Sequence, residues 1–218
     1  MTTYATLRTR IEGEIYDTSL TTEINSAIQD AIKFYERKKF WFNQKTGTFA
    51  TVASQEYYDD SDNSDIPGML AILSMQAAVS TFKSPVDALS FEAVDAMQNG
   101  SIQGMPKYFA YFNEQIRLYP IPDAAYTVTA AYHYRFPALS ADADSNPWTT
   151  DAEELIRTRA KRILALHKLW DVEMYARLMP AENEALSALQ AETTRRRSVN
   201  RLTSDYPPAG SRFNINIG

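Results

Sequence analysis

The chain has 218 residues, room for one domain with an insertion or two small ones. Its 44% apolar and 22% charged content excludes wholesale disorder and fibrous architectures, and the absence of cysteine removes disulfides, thiolate metal sites and cysteine nucleophiles. The net charge of −5 is unevenly divided, since residues 1–154 hold 11 Lys and Arg against 21 Asp and Glu while residues 155–218 hold 11 against 6.

In chain order, Tyr4, Leu7, Ile11 and Ile15 recur at steps of three and four and predict an amphipathic helix over 3–16. Ile24, Ile28, Ala31, Ile32 and Tyr35 repeat that spacing toward the basic end Arg37-Lys38-Lys39, where cations suit the helix dipole. Residues 3–16 and 22–39 are thus expected to form an antiparallel helix pair. After Phe40-Trp41-Phe42 the period ends. Lys45 to Ser54 reads as a strand, and Tyr57 to Asp65 as a solvated acidic loop. Met69 to Met75 supplies another strand, and Phe91, Val94 and Met97 mark one short helix.

The most ordered β signal runs from Gly104 to Phe136. Lys107–Phe112 and Gln115–Tyr119 flank Asn113-Glu114 as a hairpin. Pro120-Ile121-Pro122-Asp123 breaks the strand, and Tyr126 to Phe136 alternates as a long strand with one apolar face. Thr150-Asp151-Ala152-Glu153 reads as a capping box that starts a helix through Ile156, Ala160, Ile163, His167 and Trp170. Pro180 is expected to break or kink the chain beyond it, and a further helix runs down to Arg195-Arg196-Arg197. Beyond Ser198 the period is lost, and Phe213, Ile215 and Ile217 alternate against asparagines in a segment that reads as an arm outside the core.

This layout predicts an α+β fold: an antiparallel helical bundle formed by the N- and C-terminal helices (1–42 and 141–197), a β-rich insertion domain (43–140) and an extended C-terminal arm (198–218). With no signal-peptide-like block and no run of about 18 apolar residues, neither export by that route nor membrane insertion is expected.

Candidate chemistry is sparse. Acid–base catalysis needs an oriented base, and the two histidines, His133 on a strand and His167 on a helix stripe, are accompanied by no nucleophile signature. Neither receives a catalytic role, so no enzyme activity is expected. Asp59, Asp60, Asp62 and Asp65 suggest a hard-cation loop, but counting from Asp60 puts Asp65 at the glycine position and Ala71 at the bidentate glutamate. No metal or cofactor site is assigned.

Phosphate contact would need cations with few acids nearby. Arg157, Arg159, Lys161, Arg162 and Lys168 are flanked by Glu153, Glu154, Asp171 and Glu173, which favours a salt-bridged helix face. The Arg195 to Arg201 cluster has no acid from Thr193 to Ser204 and suits either a solvated helix end or docking onto an acidic protein surface. The tail's Phe-x-Ile-x-Ile pattern can add a strand to another chain's sheet edge or fold back on its own domain.

The order INSAIQDAIKFYERKKFWFN (Ile24 to Asn43), GMPKYFAYFNEQIRLYPIPDAAYTVTAAYHYRF and NPWTTDAEELIRTRAKRILALHKLWD resembles the head-to-tail adaptor proteins of short-tailed and related bacteriophages over about residues 5–195. The most characteristic stretch is Gly104-Met105-Pro106 followed by Ile116 to Asp123 and Tyr126. The resemblance implies a virion protein of the head–tail junction, assembled in the host bacterial cytoplasm. It would be one subunit of a ring, usually dodecameric, seated between the portal and a tail or nozzle protein. DNA would pass through it without sequence-specific binding. The C-terminal extension would contact the portal, with Arg195, Arg196, Arg197, Arg201, Phe213, Ile215 and Ile217 as its contacts. The alternative is a DNA-binding or packaging accessory that uses the C-terminal basic segment.

Overall fold

A computed structural model describes residues 2–97 and 102–198, with side chains to Arg196. Helix α1 (Tyr4–Ile15) begins where Thr3 accepts the Thr6 N–H, and α2 (Thr21–Tyr35) follows a short turn. The orphan N–H groups of Tyr4 and Ala5 go to the carbonyls of Asp144 and Asp142, 2.8 and 3.1 Å away. A segment distant in sequence therefore caps α1.

After the 3-10 turn Trp41–Asn43 come β1 (Gln44–Ala50), β2 (Tyr57–Tyr58), β3 (Met69–Val79) and β4 (Phe82–Ala88). Helix α3 (Phe91–Met97), β5 (Tyr108–Phe112), β6 (Gln115–Tyr119) and β7 (Thr127–Tyr134) complete the middle of the chain. The short α4 (Pro147–Thr150), α5 (Glu153–His167) and α6 (Val172–Ser198) come last.

The seven strands form one sheet in the order β1-β7-β3-β4-β5-β6-β2. All pairs are antiparallel except β4 with β5. Strand β4 turns the corner: Phe82 to Val86 pair with β3, and only Asp87 and Ala88 pair with β5. Two register shifts in β3 add curvature. The sheet curls so far that its two edge strands meet through side chains, with the rings of Phe49 on β1 and Tyr58 on β2 5.1 Å apart. The result is a half-barrel around Met75, Phe109, Ile116, Leu118, Val128 and Tyr132.

The loop after β2 closes the open side. Asn63 donates to the Thr48 carbonyl at 3.1 Å, while Asp65 accepts from Lys45 Nζ at 2.7 Å and from the Tyr132 hydroxyl at 2.6 Å. Gly47 is required here, because a Cβ would stand 2.6 Å from the Tyr132 hydroxyl. The acidic stretch expected to be a solvated loop is therefore a packed one that also contributes β2. Its carboxylates are spent on Lys45, Tyr132 and local turn bonds such as Asp59 with Ser61.

A second core holds the helices. The α2 stripe Ile24, Ala27, Ile28, Ala31 and Tyr35 is fully buried, and α2 packs mainly on α5 through Leu155, Ile156 and Ala160. Each large apolar side chain so buried contributes about 1.5–3 kcal/mol relative to exposure. Trp148 is 1% exposed and meets Phe40 and Phe42 edge-on at 5.9 and 5.0 Å.

The expected fold class is corrected by the sheet. The chain is not a bundle of N- and C-terminal helices carrying a β insertion. Among the described residues helix makes up 44% and strand 25%, the half-barrel is a principal unit of the fold, and most helix comes after it in α4–α6. Periodicity identifies five of the strands but neither β2 nor β4, nor which strand pairs with which: four runs that read as separate strands and hairpins prove, together with β2 and β4, to be one continuous sheet.

Two local expectations also change. The capping box lies at Asn146 and Thr149, with Pro147 at the first helical position, while α5 starts after Ala152 with no side-chain cap. Thr150 is thus the end of α4 rather than the start of α5. Helix α6 continues through Pro180 instead of breaking there. The hairpin at Asn113-Glu114 forms as expected, with φ of 51° and 59° giving the left-handed turn that matches strand twist.

Candidate interaction surface

The cations of α5, and Lys168 just after it, pair with carboxylates of other helices. Glu14 of α1 receives both Arg157 and Lys161, and Lys168 reaches Glu23 of α2 at 2.6 Å. Arg10 of α1 reaches Glu153 at 2.6 Å. The flanking acids expected to pair with α5 do so only at Glu153, which lies 3.6 Å from Arg157. Asp171 instead accepts the Met174 N–H at the start of α6.

At the centre of this layer Glu182 of α6, its side chain 4% exposed, accepts from Arg162, from Arg159 at 3.2 Å and from the Tyr35 hydroxyl. Arg162 also lies 4.4 Å over the Tyr175 ring and Arg159 4.0 Å over Phe34. Burial, then the hydrogen bond to Glu182, holds the Tyr35 hydroxyl well above the ordinary phenol range. One carboxylate thus ties α2, α5 and α6 together, and no local pattern signals it because its partners lie 20 to 147 residues away.

The candidate contact residues fall at the far end of α6. Arg195 and Arg196 are exposed, and both pair with Glu192, at 2.7 and 2.6 Å. Their bonds, Arg196 first, hold the Glu192 carboxyl below its ordinary range. Arg196 also stacks 4.5 Å over Trp41. The cluster is therefore less acid-free than its own window suggests, since its partner sits one residue before that window. Arg197 lies in the last turn of α6, and Arg201, Phe213, Ile215 and Ile217 lie outside the described residues, as does the arm 198–218 beyond its first residue.

His133 is buried, with Nδ1 3.4 Å from Asn43 Oδ1, at the joint where Asn43 also binds the Phe40 N–H and the Lys38 carbonyl. His167 is exposed at the end of α5, so it is not on the buried stripe. Among the described residues no three His, Asp or Glu side chains are placed to hold a metal, and no helix is long and apolar enough to cross a membrane.

Exposed apolar side chains, unremarkable in sequence, gather at three places. Tyr16 closes α1 and Trp170 lies between α5 and α6, both at positive φ and almost wholly exposed, at an end joined by the Lys168–Glu23 pair. The end of the half-barrel away from the helices carries Val52, Val79, Phe82 and Ile102. Register places them there, because Ala50, Thr127 and Ala78 are aligned across β1, β7 and β3, while Gln103 bridges to Ile121 and to Ser54. The third is a cleft of about 180 Å3 lined by Tyr57, Phe91, Phe112, Asn113, Gln115 and Arg117.

Exposed apolar patches mark sites of contact with other macromolecules or with ligands. No curated protein matches the chain. Residues 2–209 match the SU10 adaptor protein family. The match covers nearly the whole chain, including the helical layer, the half-barrel and the basic end of α6, and accords with the resemblance to phage head-to-tail adaptors. The chain belongs to the SU10 adaptor protein family, and is thus a bacteriophage structural protein whose role is to join other phage proteins in the virion.

Proposed function

We propose that this chain is one subunit of a ring, of twelve copies, seated at the head–tail junction between the portal and a tail or nozzle protein, through which DNA passes. It works by assembly and performs no catalysis. Family membership over residues 2–209 is the observation that carries this reading.

The electrostatics support it. A conduit must not grip phosphates, because each neutralised phosphate adds a salt-dependent increment to retention. The α5 cations Arg157, Arg159, Lys161, Arg162 and Lys168 are all paired with carboxylates of the same chain. The accessory reading draws instead on the C-terminal basic segment, where Arg195 and Arg196 pair with Glu192.

In this reading the segments divide the work. Residues 1–42 with 141–197 and residues 43–140 form the body, and 198–218 is the arm that docks on the portal. Arg195, Arg196, Arg197, Arg201, Phe213, Ile215 and Ile217 supply the contacts. The test mixes portal with the full chain and with a chain lacking residues 198–218, and images the products. Rings on portal from the full chain alone are expected. Equal docking without the arm sinks its role, and salt-sensitive retention of duplex DNA by the isolated chain would favour the accessory reading.

A further inference from the structure

Two of the exposed apolar surfaces have complementary chemistry and lie at opposite ends of the half-barrel. The first is the β3–β4 tip. Cross-strand pairs Met75–Val86, Ala77–Ser84 and Val79–Phe82 run along one face of the hairpin. Met75, Ala77 and Val86 are buried in the core, but Val79 is 45% and Phe82 62% exposed. The apolar face thus continues past its own cover. Only two residues, Ser80 and Thr81, separate the paired Val79 and Phe82, and Ser80 sits at φ 52°, so the tip is a short, tight turn.

Pairing by strand addition is discouraged along this edge. Among the described residues β4 from Phe82 to Val86 has only β3 as a strand neighbour, yet Pro85 lacks a donor and Lys83 adds a charge. What the tip offers is side chains, with Phe82 foremost and Lys83 the only charge from Gln76 to Val86.

The second surface is the cleft beside the β5–β6 turn. Phe112, 60% exposed, stands 5.0 Å from Phe91, and the Arg117 guanidinium lies 5.0 Å from the Phe91 ring and 5.3 Å from Tyr57. A cavity of roughly 150 Å3 accommodates a benzene ring, so this cleft of about 180 Å3 has room for one aromatic side chain. Its charge is negative: Arg117 is bound by both Glu56 and Asp95, and the exposed Glu92 and Glu114 adjoin Phe91 and Asn113.

We propose that the β3–β4 tip of one copy of this chain inserts Phe82 into the Tyr57–Phe91–Phe112 cleft of the next copy, with Lys83 meeting the acidic lip. Different patches on identical chains make a heterologous contact, and such contacts build a ring where the rotation between copies closes. The contact rests on the ring reading above and assigns where neighbours meet. Phe82 is the anchor, and the Arg117 ion pairs hold the floor that receives it.

The absence of native cysteine allows a direct test in the full chain. Thr81→Cys and Ala96→Cys place thiols beside the tip and on α3, leaving the aromatic residues intact. Mixed with portal, treated with a bismaleimide and run on a denaturing gel, the double variant is expected to give a ladder of dimers, trimers and larger species. Each single variant should give none, because tip does not meet tip. Adding Phe82→Asp should reduce the ladder by about tenfold or more, as loss of an anchor residue does. No ladder from the double variant, dimers from Thr81→Cys alone, or indifference to Phe82→Asp overturns the contact. Sedimentation of the native chain with portal separates the two claims: several copies on portal without the ladder reject only this contact, and no assembly of copies on portal rejects the ring reading with it.

Discussion

The helical layer and the half-barrel are built on opposite electrostatic plans. Between α2, α5 and α6 a buried carboxylate is shared by two arginines and a tyrosine, so charge sits inside the layer. In the half-barrel the interior is aromatic and aliphatic, and the polar bonds lie at its closing loop and rim and on β6 beneath α3, where Arg117 meets Glu56 and Asp95. Buried charge is intolerant of partial loss, whereas an apolar core with polar edges loses stability in small steps. The layer with the charged centre is accordingly the one that fixes helix positions, and the barrel is the one whose ends are free to present apolar side chains.

The largest break in this comparison is Glu182→Leu. It leaves Arg162 and Arg159 without their carboxylate, and denaturant unfolding should show a loss of about 3–5 kcal/mol. Combining it with Arg162→Met should recover part of that loss, since replacing both partners removes the stranded charge. An equal or greater loss in the double variant would show that the pair, rather than its uncompensated half, carries the stability.

A smaller effect is expected at Asp65 of the barrel. Burial alone would raise its carboxyl, but the bonds from Lys45 and then Tyr132 outweigh it, and the group titrates below the ordinary aspartate range. A depressed folded value gives stability that is present above the unfolded pKa and lost as pH falls through the folded one. On acidification from neutral pH to about pH 3, the native chain should therefore lose of order 1 kcal/mol more than Asp65→Asn. Identical acid profiles would remove Asp65 from the account.

The smallest effect belongs to the rim of the helical layer. Lys168 and Glu23 are both well exposed, and Lys168→Ala should cost less than about 0.5 kcal/mol in thermal unfolding. A larger loss would mean that this pair, and not the α2–α5 packing, holds the end bearing Tyr16 and Trp170.

Part of this organisation is legible in residue order. The stripes of α1, α2 and α5, the β5–β6 hairpin at Asn113-Glu114 and the alternation of β7 are local patterns, and their spacing carries them. The α4 start is not, because Thr150 offers the same capping chemistry as Asn146, and only the backbone decides between them. Pairing of the α5 cations is legible, but the acids that pair with them are not: a window sees Glu154 and Glu173, whereas folding brings Glu14, Glu23 and Glu182.

The order of residues determined by itself five of the seven strands, the helices other than α4, the uneven charge and the likeness to phage adaptors, because periodicity, composition and turn chemistry act over a few residues. Tertiary structure alone decided that seven strands share one curled sheet and that Glu182 unites three helices. It also decided that Val79 and Phe82 emerge from the core at one end while Phe112 and Tyr57 border a cleft elsewhere. Those relations depend on curvature and long-range burial, and exposure is a property of what covers a side chain rather than of the side chain itself.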